Sequence, residues 1–237
     1  MSEGKPFEGQ VALVTGASKG IGAATAQALA AAGAHVILTA RDIKALETVE
    51  NAIHDAGGTA TIAPMDLLEQ DAIPRLAKAV AERWGKLDIL ILNAGILPNL
   101  SPVQDIDLPG LNRALATNLL APQALIAAFD PLLRRSDNAR VIGLTTGVVA
   151  RPRAFWGAYA ATKAAFDVLL DCYAQEIRKI TKIRVAILNP GATRTAMRAK
   201  AMPGEDPNSI KGPEAVAEAI LTLLTEDFTS PHRVSLA

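Results

Sequence analysis

The chain has one cysteine, Cys172, among its 237 residues. No internal disulfide framework is available, and a reducing compartment fits. Cys172 sits in the stretch FDVLLDCYAQEI, which predicts a buried, inert thiol. Neither sign of charge prevails: Lys plus Arg and Asp plus Glu are 24 each, so no overall field draws in nucleic acid or an anionic membrane surface. No apolar run approaches membrane-spanning length, and the start, MSEGKPFEGQVALVTG, has no apolar signal region. Together these absences predict a cytoplasmic chain. The three histidines, His35, His54 and His232, show no ligand spacing, so no metal site is expected. No composition break, repeat or low-complexity segment divides the chain, which predicts one domain over 1–237.

What is present is apolar and periodic. Half of the residues are hydrophobic, enough for a substantial core. Short aliphatic runs at Val11–Val14, Val36–Thr39, Thr59–Ala63, Ile89–Leu92, Val141–Leu144 and Val185–Leu188 read as strands. Because consecutive positions are apolar, both faces of the sheet must be covered, as in a parallel sheet. Helical patterns alternate with them at about 20–32, 43–56, 69–84, 108–134, 157–180 and 213–226. The fold class is therefore α/β, a doubly wound parallel sheet with helices on both faces. Two irregular stretches, about 146–156 and 190–212, follow strands at their carboxyl ends, where open α/β sheets place ligands.

The first strand runs into VTGASKGIGAAT, where Gly16, Gly20 and Gly22 lead into a helix, with Ser18, Lys19 and Ile21 between and beside them. Glycines in such a turn let backbone N–H groups approach a pyrophosphate at the positive helix end. A glycine-rich turn that only makes room for packing is the plainer alternative. The next strand ends in Ala40, Arg41 and Asp42. An acid at this place accepts the ribose 2′-hydroxyl of NAD, whereas an arginine pairs with the 2′-phosphate of NADP. Arg41, with Lys19 as a second cation, points to NADP(H), with NAD(H) as the other choice. On the plainer reading both are solvated charges, and Asp42 only caps the next helix.

In GAYAATKAAF, Tyr159 and Lys163 are an i, i+4 pair and share one helix face. They either edge a core helix with their tips in water or work together. The loop TGASKGIG, NAG at 93–95, YAATK at 159–163 and NPGATRT at 189–195 occur in the order and spacing of the short-chain dehydrogenase/reductases, which the chain resembles from residue 9 to about 226. NPGATRTAMRAKAMPGEDP is especially similar to a bacterial subgroup known only as oxidoreductases.

The resemblance implies a single Rossmann domain of about seven strands, a nicotinamide cofactor, and a catalytic Asn–Ser–Tyr–Lys set. Tyr159 then matches the acid/base, Lys163 its partner and Asn118 the helix asparagine, which would hold a water linking Lys163 to solvent. Thr146 stands where the family has serine, with Thr145 beside it. Threonine keeps the hydroxyl but adds a methyl and stiffens χ1. A free tyrosine titrates at about 10, and a nearby ammonium is expected to lower that value. For the cofactor, the resemblance adds Asp66 beside the adenine, though a helix cap is the alternative. It also adds Asn93, Ala94, Gly95, Pro190, Gly191, Thr193 and Thr195, together with a ribose contact from the Tyr159 and Lys163 pair.

A small carbonyl or alcohol substrate would lie between 147–158 and 192–212, a stretch able to close as a lid. Phe155 and Trp156 offer it apolar surface; Arg151, Arg153, Arg194 and Arg198 offer positive charge or are ordinary loop arginines. The resemblance implies a homodimer through helices 108–134 and 157–180. The end TSPHRVSLA lacks the glycine-bearing terminus of the family's second interface, so a tetramer is disfavoured. Two other activities stay open: a non-catalytic NADP(H)-binding sensor or scaffold, and an epimerase or dehydratase on the same fold.

Overall fold

The computed structural model describes residues 4–236. Seven strands form one sheet: β1 (Val11–Thr15), β2 (His35–Thr39), β3 (Thr59–Ile62), β4 (Ile89–Leu92), β5 (Arg140–Leu144), β6 (Arg184–Asn189) and β7 (His232–Ser235). Their spatial order is β3-β2-β1-β4-β5-β6-β7, and every pairing is parallel. The order reverses between β1 and β4, which opens a crevice at the carboxyl ends of the strands. This is the doubly wound sheet that the alternating pattern predicts, with the seven strands and Rossmann architecture that the family resemblance implies.

Nine α-helices surround the sheet among the described residues: α1 (Gly20–Ala31), α2 (Ile43–Asp55), α3 (Ala72–Trp84), α4 (Leu108–Leu115), α5 (Ala121–Leu133), α6 (Gly147–Ala150), α7 (Gly157–Ile177), α8 (Ala196–Ala201) and α9 (Pro213–Thr225). The strands alternate their side chains between two cores. In β4, Ile89 and Ile91 join the core under α1, α2 and α9, while Leu90 and Leu92 join that under α3, α5 and α7. A fully buried leucine or isoleucine contributes about 1.5–3 kcal/mol, so both faces of each strand stabilise the sheet. Gly143 sets the closest approach: a Cβ there would lie 2.2 Å from Leu170 Cδ1 of α7. Helix α7 can therefore lie low on β5.

At the amino ends of the strands, Asp88 is 3% exposed. One carboxylate oxygen accepts from Val11 N at 2.9 Å; the other accepts from Ser136 Oγ at 2.5 Å and Lys86 Nζ at 2.9 Å. This one side chain joins the starts of β1 and β4 to the turn before β5.

Four local departures from the sequence pattern have physical causes. The helical pattern at 108–134 is not one helix: a π-helical turn, Ala116–Leu120, separates α4 from α5. Helix α3 begins only at Ala72, because Asp71 adopts the left-handed φ of 63°. The irregular stretches hold the short helices α6 and α8. Cys172 is exposed, not buried. Phe166, Leu170, Tyr173 and Ile177 form the inward stripe of α7, and Cys172 falls outside it.

Candidate active site

A cavity of about 1470 Å3 runs along the carboxyl ends of the strands from Arg41 to the substrate loops. That exceeds the usual 300–1,000 Å3 or so of a single-ligand pocket and suits a dinucleotide with a second molecule beside it. Every residue expected to touch the cofactor lines this cavity except Gly22. Gly22 is buried one layer behind, where a Cβ would lie 2.2 Å from the Gly16 carbonyl oxygen and 2.6 Å from Asn93 Nδ2. The Asn93 amide donates to the Thr15 carbonyl at 2.8 Å and so fixes the loop from the other side.

No side chain caps α1, whose N-cap position is Lys19. The first N–H groups of the helix are thus free for an anion, and the helix dipole favours one there. Arg41 and Lys19 are exposed on the cavity wall. Asp42 caps α2, accepting from Ala45 N at 3.1 Å. Its carboxylate is committed to the helix while Arg41 remains available. Asp66 is not the cap of α3; it accepts from Leu68 N at 3.0 Å and holds the turn after β3. The cradle, the bare helix end and the paired cations fit a phosphorylated dinucleotide.

At the other end of the cavity α7 presents Tyr159 and Lys163, 8% and 4% exposed. Lys163 Nζ donates to the Leu144 carbonyl at 2.8 Å, at the end of β5. The Tyr159 hydroxyl makes no hydrogen bond among the described residues, and the ring meets Trp156 edge-on at 6.0 Å. Burial pushes the phenol up to about 12 and the amine down to about 8. The lowering of the phenol that the sequence predicts from its lysine neighbour is therefore not seen: burial prevails, and the amine is turned to a carbonyl. Thr146 lines the cavity beside them, and the Thr145 hydroxyl is buried without a partner among the described residues.

Asn118 is fully buried in the π turn. Its Oδ1 accepts from Ile96 N at 2.8 Å, and its Nδ2 donates to Ile96 O and Thr162 Oγ1, both at 3.0 Å. Thr162 Oγ1 in turn donates to the Tyr159 carbonyl at 2.9 Å. Both amide donors are thus committed to protein atoms. The amide clamps the loop after β4 to the first turns of α7.

On the substrate side Trp156, Arg153 and Arg198 line the cavity; Phe155, Arg151 and Arg194 do not. Arg198 is held by both oxygens of Glu205, at 2.6 and 2.5 Å, so its charge is already matched. Thr195 caps α8 through Arg198 N at 3.1 Å, and Thr193 pairs with Lys211 across the loop. The 190–212 stretch is therefore braced internally. Arg113 and Thr117 also line the cavity, and Thr162 links Asn118 to the Tyr159 carbonyl, although no motif in the sequence marks these three. Thr117 and Arg113 do carry a signal, an i, i+4 spacing just before Asn118.

Comparison with known proteins identifies the family. The short chain dehydrogenase family matches residues 10–206. The uncharacterized oxidoreductase YciK of Escherichia coli is 35% identical over 92% of this chain and 87% of its own length. A fatty acyl-CoA reductase of Acinetobacter baylyi is 36% identical over 80% of this chain and 64% of its own. Among solved structures, a short chain dehydrogenase from Shigella flexneri complexed with NADP superposes with a TM-score of 0.93 at 32% identity, covering 98% of each chain. The chain belongs to the short-chain dehydrogenase family.

Proposed function

We propose that this protein is an NADP(H)-dependent oxidoreductase that interconverts a carbonyl and an alcohol, with Tyr159 delivering or removing the proton. The observation that carries the reading is a buried tyrosine and lysine at one end of a cavity whose other end is a phosphate cradle with Arg41 and Lys19. Bound NADPH supplies the hydride. Negative charge then develops on the carbonyl oxygen, and the protonated Tyr159, raised to about 12, is the acid that quenches it. Thr146 donates to the same oxygen. Lys163 supplies positive charge under the phenol and a ribose contact, and Asn118 keeps the loop after β4 in register with both. Asp66, the Asn93–Gly95 loop and Pro190–Thr195 bound the adenine and nicotinamide ends.

The NADP and NADPH complexes among the structural neighbours support the cofactor. The name of the Acinetobacter relative supports a carbonyl with an apolar body, which Trp156 suits. NADPH consumption across a panel of ketones and long-chain aldehydes tests the reaction; binding of NADPH without turnover across the panel defeats it. For the cofactor, Arg41→Ala should raise KM for NADPH by about tenfold, a loss of roughly 1.4 kcal/mol, and leave KM for NADH unchanged. Equal loss with both cofactors contradicts the 2′-phosphate role.

We further propose that the protein works in the cytoplasm as a homodimer. The outer faces around α5 and α7 expose Leu120 at 59% and Val168 at 61%, apolar residues that a partner copy would cover. Light scattering should return twice the monomer mass.

A further inference from the structure

The chemistry above leaves Asp167 without a task. It is on α7 one turn beyond Lys163, with Asp171 a further turn on, so all three share a face. Asp167 is 3% exposed, and Arg233 of β7 reaches it, Nη1 to Oδ2, at 2.9 Å. The same guanidinium also bonds Asp171. Asp167 Oδ1 is buried with no hydrogen-bond partner among the described residues. A buried carboxylate with an idle oxygen is costly unless a charge nearby uses it.

The charge one turn away is the lysine. Around its amine, β5 brings the Leu144 carbonyl, the loop after β4 brings Gly95, and the π turn brings the Asn118 amide. Helix α7 adds the Phe166 ring at 5.0 Å and Tyr159. Arg233 of β7 stands on the far side of the carboxylate, bonded to Asp167 and Asp171. Among the described residues Asp167 is the acid whose charge acts on the amine, across a gap too wide for a direct ion pair.

We propose that Asp167, steered by Arg233 of β7, is a positioning residue for Lys163, its buried carboxylate one helical turn away keeping the amine charged at working pH. The claim rests on the reading of Lys163 given under the proposed function. It also accounts for the balance at the amine: burial drives the lysine down to about 8, and Asp167 opposes the fall. Lys163, Asp167, Arg233 and Asp171 form a chain of alternating sign that ties the last strand of the sheet to the site.

The test reads the amine itself. In protein carrying 13C-labelled lysine, the Lys163 resonance, assigned by its loss in Lys163→Met, is followed against pH by NMR. Wild type should titrate near 8. In Asp167→Asn the acid constant should rise by about tenfold or more, and Asp167→Glu should restore it. Asp171→Asn, two turns from the lysine and more exposed, should leave it where it is. The alkaline limb of kcat/KM for carbonyl reduction should move in step.

Because Asp167→Asn leaves Arg233 facing a neutral amide, the double variant Asp167→Asn with Arg233→Gln is the fallback should the single variant fail to fold; its titration should move in the same direction by a smaller factor, since losing the Arg233 charge offsets part of the change. A Lys163 titration unchanged in the folded variant overturns the proposal. A shifted titration alongside turnover indifferent to Tyr159 and Lys163 upholds the pairing and removes the proposed function instead.

Discussion

Tyr159→Phe lowers kcat for carbonyl reduction by about a thousandfold while KM for NADPH stays within a few-fold of wild type. A positioned acid contributes typically 10²- to 10⁴-fold. The Thr146 hydroxyl is far too weak an acid, and Lys163 is turned to the Leu144 carbonyl. Phenylalanine keeps the ring, its burial and its edge contact with Trp156, so the fold should be retained. The measurement is steady-state kinetics on a confirmed carbonyl, with circular dichroism as the check on folding. Turnover at the wild-type rate would remove Tyr159 from the chemistry.

The second large effect belongs to Gly22→Ala. The new methyl would sit 2.2 Å from the Gly16 carbonyl, which is backbone and has no flexible side chain to yield. Overpacking of this kind costs about 1–3 kcal/mol. Here the strain falls on the loop that forms the phosphate cradle. NADPH affinity should fall by about ten- to a hundredfold, the factor that a strain of this size in the bound cradle gives. Fluorescence titration with NADPH measures the affinity, and a thermal melt should show the loss of stability. Wild-type affinity in this variant would mean that the glycine loop only packs.

Much of this was legible in the residues. Consecutive apolar positions such as those of Val11–Val14 and Ile89–Leu92 demand cover on both faces, and the sheet is parallel and doubly covered. The cofactor-side residues converge because each follows a strand at its carboxyl end, a place that topology alone dictates. What stayed hidden depends on partners remote in the chain. Asn118 sits in a π turn and bonds Ile96, 22 residues earlier, and no local pattern reports that pairing. Arg198 reads as a free cation until the loop folds back and brings Glu205 to it. Strand β7 has four residues with alternating exposure, too few to stand out beside Pro231. The amine and phenol show how burial reverses an argument from spacing: i, i+4 geometry puts the pair on one face, but desolvation sets the direction in which each pKa moves.

The Asp88 junction lies at the opposite end of the strands from the cavity. Robustness and reactivity are thereby housed at separate poles of one scaffold. Lys86, Asp88 and Ser136 touch nothing in the cavity, so a substitution among them acts on the scaffold before it acts on the site.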